Sequence, residues 1–304
     1  MTRRTTLLFA ALGVAWGIPY LLIAVAGQEL APSTLVLART ALATLVLAPI
    51  ALSRKEVRAC LPALARHWKA VAAYTGFEIV GPWLFLARAE HDLPSSTTAV
   101  VISAVPAVGV VVAFATRRAE RLGTAGWLGL GLGTLGVATL VGLDLGPGQG
   151  GAVAELAVVV VGYAIGPAVL ARYLADLPAM AVVLASLLLS ALVYVPVVAL
   201  GPGLPDTFPS APVVASVVVL ALVCTAGAFL VLFALVARIG PVRSTAVVYV
   251  NPVVAVAAGA VVLGERITAA TIAGFALVLA GSFLATRGPR EGSARSPQPL
   301  TVEA

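Results

Sequence analysis

Long apolar stretches alternate with short polar ones along the whole chain. Crossing a hydrocarbon core takes about 20 helical residues, and runs of that reach lie at 7–26, 33–52, 68–87, 95–115 and 123–143. Five more follow at 152–171, 178–200, 211–234, 242–263 and 269–285. The pattern predicts an all-α polytopic membrane protein with ten transmembrane helices. The weakest stretch is 86–95, where Arg88, Glu90, His91 and Asp92 are too polar for mid-membrane and Pro94 favours a break. A loop is expected there, with Ser95 or Ser96 capping the next helix. The longest connection, about Ser53 to His67, also reads as a loop, too small for a docking domain.

Composition agrees with lipid as the main solvent. Hydrophobic residues make up 61% of the chain and charged ones 11%, with a mean hydropathy of +1.06. A soluble globule has too little charge at that ratio to cover its own surface. The net charge of +6 does not point to nucleic acid, because the basic residues sit between the apolar runs. Their placement tests the topology. With ten spans and the amino terminus inside, the inner segments hold Arg3 and Arg4, the group from Arg54 to Lys69, Arg117, Arg118 and Arg121, and later Arg172, Arg238, Arg243, Arg287, Arg290 and Arg295. The outer segments hold only Arg88 and Arg266, and Arg39 is left within a span. Both termini are therefore expected in the cytoplasm. The first apolar run continues through Gly17 and Pro19 to about Ala26 and reads as a retained span, not a signal peptide. The preference for Arg over Lys, with high Ala, Gly and Val, points to a bacterial source and so to the inner membrane.

A repeat emerges when the two halves are overlaid. Ser96 to Pro106 resembles Arg243 to Pro252, and Glu120-Arg121-Leu122 resembles Glu265-Arg266-Ile267. Both are followed by a Gly-rich apolar span. Five spans per half is odd, so the second unit enters the membrane from the opposite side, giving an inverted five-plus-five repeat of the kind used for alternating access. The expected units are 1–143 and 152–286, joined by a short link at 144–151 and followed by a disordered cytoplasmic tail at 287–304. Glycines 123, 126, 129, 131, 133 and 136 read as a close-packing face in preference to a gate.

Candidate chemistry is sparse. Cys60 and Cys224 are in no metal-type spacing, and no His or Cys cluster, P-loop or Gly-x-Ser-x-Gly occurs. No metal, cofactor or enzymatic activity is expected. Arg39 and Glu78 lie near the middle of their spans, where an unpaired charge costs several kcal/mol. Two readings stay open: a structural ion pair between them, or Glu78 binding a cationic substrate or a proton while Arg39 binds an anionic group or releases Glu78. Tyr74 is four residues from Glu78, sharing a helical face and within hydrogen-bonding reach. Trp16, Trp83, Tyr163, Tyr249 and Asn251 are expected as further cavity contacts. Pro19, Pro106 and Pro252 are expected to bend their helices or to free a polar edge, with Asn251-Pro252 the strongest such site.

Ala15-Trp16-Gly17, Ala38-Arg39-Thr40, the proline after Ala99-Val100-Val101 and the doubled Glu-Arg-Leu/Ile resemble the EamA-type branch of the drug/metabolite transporter superfamily over about residues 7 to 286. The resemblance implies ten helices in an inverted repeat, cytoplasmic termini, a central cavity shared by both halves, and secondary transport, frequently export of amino acids, other metabolites or drugs. It maps landmarks onto Pro106, Pro252, Glu120-Arg121 and Glu265-Arg266. Glu78 is not among them, so proton coupling at Glu78 rests on intramembrane chemistry alone. The expected partners are a small-molecule substrate, protons if Glu78 titrates, and membrane lipids. A channel is the closest rival, with a non-transporting scaffold behind it.

Overall fold

The computed structural model describes residues 2–115, 124–144, 148–201, 203–239, 247 and 250–286. Tyr249, Glu120-Arg121 and the expected tail from 287 lie outside them. The described residues form an all-α bundle. Its helices are α1 (Arg3–Gly17), α2 (Pro19–Ala26), α3 (Pro32–Leu52), α4 (Lys55–Arg66), α5 (Trp68–Thr75), α6 (Gly81–Asp92), α7 (Ser95–Ile102), α8 (Val105–Ala115) and α9 (Thr124–Asp144). The series continues with α10 (Gly150–Tyr173), α11 (Ala179–Leu200), α12 (Ala211–Ala221), α13 (Ala228–Ile239), α14 (Asn251–Val262) and α15 (Ala269–Thr286). Among the described residues seven helical stretches are long and apolar enough to cross a membrane: Arg3–Ala26, Pro32–Leu52, Trp68–Asp92, Ser95–Val112, Gly150–Tyr173, Ala179–Leu200 and Ala211–Ile239. Helices suit this setting because they satisfy every backbone donor and acceptor internally, where lipid offers none.

Breaks follow proline and π-helical turns. Pro19 begins α2, Pro106 is the second residue of α8 and Pro252 the second of α14, positions where the missing amide costs nothing. Pro167 and Pro196 sit within continuous α10 and α11. Gly76–Val80 forms a π-helical turn between α5 and α6, and Leu222–Gly227 forms another between α12 and α13.

Two expected loops are helices. The segment read as a long loop contains α4, whose Val57 and Leu64 are buried against α3 and α11 while Lys55, Glu56, Arg58 and Arg66 face outward. A one-sided apolar stripe stabilises a short helix at a surface even when its average composition is polar. The polar run at 88–92 completes α6, and the chain breaks only at Leu93 and Pro94. Arg88 and Glu155 pair at 2.8 Å on its outer side, while Ala89 and Glu90 are buried.

Packing joins the first and second halves throughout. α3 lies against α11, α7 against α14 and α9 against α15. α1 and α2 pack on α12, α13 and α14, as α10 packs on α5, α6 and α8. The α9–α15 contact runs through glycine: a Cβ at Gly136 would meet the Gly274 carbonyl oxygen at 2.7 Å and the Val278 amide at 2.8 Å. Small residues let backbones approach where lipid and side chains are equally apolar.

At the end of the bundle away from the amino terminus, hydrogen bonds tie the halves together. The Thr34 hydroxyl donates to the Gly203 carbonyl at 3.0 Å, the Ser210 amide donates to Glu29 at 2.7 Å, and Gln149 Nε2 donates to the Asp92 carbonyl at 2.6 Å. Gly264 takes the left-handed conformation, with φ +66, that ends α14 and turns Glu265 back toward α7. No side chain within its own chain segment caps α7. Glu265 does so instead, accepting from the Ser95 amide and hydroxyl, both at 2.8 Å, and from the Ser96 amide at 3.0 Å. The expected serine cap is thus replaced by a carboxylate from the other half. Burial opposes its charge, but the bonds from Ser96 and Ser95 outweigh that and hold the carboxyl below its ordinary value.

Candidate functional site

Arg39 is the best-defined intramembrane charge. It lies on α3, only 8% exposed, and its Nε donates to Thr225 Oγ1 at 2.9 Å. Thr225 belongs to the second π-helical turn and passes its own proton to the Leu220 carbonyl at 2.8 Å, five residues back. The hydroxyl thereby both accepts and donates. The opposite support is aromatic: the guanidinium carbon sits 3.7 Å from the Trp83 ring centroid, a geometry in which the ring quadrupole attracts the cation. Tyr163 of α10 packs against the same cluster as Trp83. Arg39 forms no ion pair among the described residues, and of its nitrogens only Nε has a hydrogen-bond partner among them. The site therefore holds a fixed positive charge with its outer nitrogens uncommitted.

Glu78 is elsewhere. It sits in the first π-helical turn, and its carboxylate lies against Gly166 of α10 so closely that a Cβ there would overlap Oε2. Oε2 is buried without a hydrogen-bond partner. The structural ion pair between Arg39 and Glu78 is not formed. Nor does Tyr74, 6% exposed, bond Glu78. Tyr74 instead packs with Leu174, Met180 and Leu184, while the Glu78 carboxylate, in the π-helical turn, lies against Gly166. Tyr194 supports this turn by donating to the Val80 carbonyl at 2.6 Å. Outside Phe77 and Pro82, an apolar groove of about 410 Å³ opens between the turn and α10, lined also by Ala157 and Val161.

The remaining expected residues divide. Trp16 meets Phe229 edge-on, ring centroids 6.2 Å apart at 78°, on the side where α1 packs against α13. Asn251 opens α14 with its Oδ1 buried and unpartnered, and its carbonyl lies beside Gly17 of α1. Arg39, Trp83 and Tyr163 therefore form one group, Trp16 on α1 faces α13 while Asn251 lies beside Gly17 of α1, and Glu78 with Tyr74 lines the seam of the third and sixth apolar runs. Among the described residues no group of three or more His, Cys, Asp or Glu could hold a metal ion.

Sequence reasoning missed Thr225, Tyr194 and Glu90. Glu90 is 7% exposed, and neither of its oxygens has a hydrogen-bond partner. A signal for it existed: it stands seven residues after Trp83, two helical turns along one face.

A family model described as the EamA-like transporter family matches residues 3–142 and 152–287. The chain belongs to the EamA-like transporter family. It is a membrane transporter and not an enzyme. A search of curated proteins finds no match. Among eleven matching solved chains, a crystal structure of a protein aligns with 20% identity and a TM-score of 0.65, covering 94% of this chain and 97% of that one. That likeness shows the fold. In this EamA-like transporter the Arg39–Thr225 bond joins the two matched stretches, since Arg39 lies in the first and Thr225 in the second.

Proposed function

We propose that the protein is a secondary carrier working by alternating access, with ten spans in an inverted five-plus-five arrangement. Its units are 1–143 and 152–286, linked at 144–151. Three features support this reading. The family model matches two stretches of similar length. The π-helical turns begin at Gly76 and Leu222, 146 residues apart (222 − 76), within the sequence offset that relates the halves. The contacts of α1 and α2 with α12–α14 mirror those of α10 with α5, α6 and α8. The distribution of basic residues supports both termini in the cytoplasm, the composition rich in Arg, Ala, Gly and Val supports a bacterial inner membrane, and the family resemblance favours export.

The Arg39 guanidinium carries the substrate assignment. Fixed between the two halves by Trp83 and Thr225, with its outer nitrogens uncommitted, it suits a small metabolite bearing a carboxylate, because a guanidinium recognises that group with two parallel hydrogen bonds. Trp83 and Tyr163 supply the aromatic walls beside it, Trp16 and Asn251 are candidate contacts on the side of α1, and Tyr249 stays a candidate from the sequence alone. Glu78 is the second charge-handling residue, facing α10, and Pro19, Pro106 and Pro252 are the points of bending. A channel is disfavoured by the hydrogen bonds that join the halves at one end. The test is counterflow in proteoliposomes across matched carboxylates, amines and neutral analogues. Saturable exchange confined to carboxylates and lost in Arg39→Gln supports the reading. Exchange that ignores the carboxylate, or a conductance without saturation, refutes it.

A further inference from the structure

Glu90 is the least expected group in the molecule. Its carboxylate is more than nine-tenths buried at the far end of α6, and both oxygens lack a hydrogen-bond partner. Charged or titratable groups of four elements lie within electrostatic reach: Tyr20 of α2, Arg39 of α3, Tyr163 of α10 and Glu265 from the turn before α15. None of them hydrogen-bonds it. Arg39 is held by Trp83 and Thr225, and Glu265 by Ser95 and Ser96. The remaining charges on α6 are turned outward: Arg88 pairs with Glu155 of α10, and His91 lies 3.7 Å from Asp92.

A buried anion with no contact partner is costly by several kcal/mol, so something must neutralise it here. A metal cation needs several oxygen ligands in one shell, and among the described residues no carboxylate and imidazole group of three or more surrounds Glu90. A proton needs one oxygen. Position then gives the proton a use. Glu90 is five residues before Ser95, whose amide and hydroxyl both donate to the Glu265 carboxylate that joins the halves. A second negative charge at Glu90 would repel Glu265, while a neutral Glu90 leaves that contact undisturbed.

We propose that Glu90 is a proton-binding site, loaded while the Glu265–Ser95 contact is closed and emptied when it opens. This rests on the alternating-access reading above and assigns its driving ion to a residue other than Glu78. The chemistry is one O–H bond, formed on a Glu90 oxygen with a proton from water on one side and broken to water on the other. No other bond changes. The sealed position of both oxygens means that exchange waits on movement of α6 and α7.

The test is pH-difference infrared spectroscopy of the full chain in vesicles of phosphatidylethanolamine and phosphatidylglycerol, with glutamate carboxyl groups labelled with carbon-13. The expected result is a labelled carboxylic acid C=O band characteristic of a buried group without hydrogen bonds. Read in the Glu78→Gln background, which removes the other buried glutamate with an unpartnered oxygen, the band persists, vanishes when Glu90→Gln is added, and with Glu90→Asp leaves the labelled set and returns at the aspartic acid position. The same amide bands in all variants show that the fold is kept. A band that survives the double variant Glu78→Gln, Glu90→Gln, or no such band in Glu78→Gln alone, overturns the proposal. Carrier function is read separately by carboxylate counterflow. Its absence in the unaltered protein, with the band behaving as expected, defeats alternating access and leaves the proton site standing. Gradient-driven uptake that is unchanged in Glu90→Gln overturns the coupling role itself.

Discussion

Glu265 Oε1 accepts two hydrogen bonds from Ser95, one from the amide and one from the hydroxyl, each 2.8 Å long. A carboxylate from the second half thus closes the amino-terminal end of a helix in the first, where free amides and the helix dipole favour negative charge. Glu265→Gln keeps the shape and removes the charge, and is expected to cost about 1–2 kcal/mol, the usual scale for a lost cap. The pH dependence has a definite sign. The folded carboxyl lies below its ordinary value of 4.5, so between those two values the unfolded chain binds more protons and stability rises as pH rises. The contribution is complete above 4.5 and is lost as pH drops through the lowered value. Thermal unfolding in detergent across this acid range should show a shallower slope in Glu265→Gln. Equal slopes would refute the account.

Arg39→Lys preserves charge but loses the planar face over Trp83 and the Nε bond to Thr225. Carboxylate counterflow should fall at least about tenfold, or about 1.4 kcal/mol, because an ammonium neither stacks nor binds in two places at once. Near-normal exchange by Arg39→Lys would show that only the point charge matters.

Tyr194→Phe removes the donor to the Val80 carbonyl and nothing else of comparable size. Losing this part-buried hydrogen bond costs about 0.5–1.5 kcal/mol. A lower melting temperature is expected for Tyr194→Phe, and no shift would mean that another donor takes over at the π-helical turn.

Gly136→Ala places a methyl group against the Gly274 and Val278 backbone, which cannot swing aside as a side chain would. Loss of about 1–3 kcal/mol is expected from the forced separation of α9 and α15. Gly131→Ala, five residues earlier, meets nothing within 4 Å and should leave stability unchanged or slightly raised. The pair is read by the detergent unfolding temperature of each variant, and equal effects would remove the contact from the account.

Hydropathy made the bundle legible, since each of the ten apolar runs contains a helix. Lipid leaves so few options for a backbone that length and apolarity nearly decide the element. Arg39 was legible for the same reason, as a charge too deep to be accidental. Glu90 was hidden by its neighbours: polarity summed over 88–92 reads as a loop, whereas its helical phase places it under Trp83. α4 was hidden in the same way, its stripe of Val57, Cys60 and Leu64 diluted by charges around it. The π-helical turns had no signal at all. They depend on partners distant in sequence, such as Tyr194 for Val80, and on a hydroxyl reaching back along its own helix, as Thr225 does to Leu220. The outcome at Tyr74 and Glu78 was not legible either, because it turns on what each side chain packs against: Tyr74 meets Leu174 and Met180, and Glu78 meets Gly166.

Those turns make residue count a determinant in its own right. One extra residue wound into Gly76–Val80 sets the angle of everything downstream on α6. Ordinary α-winding there with every residue kept would swing Trp83, Leu86 and Glu90 by about 100° around the axis, taking the indole off Arg39 and the acid out of the interior. The same sequence, regularly wound, would keep every side chain named above and still misplace those that matter most.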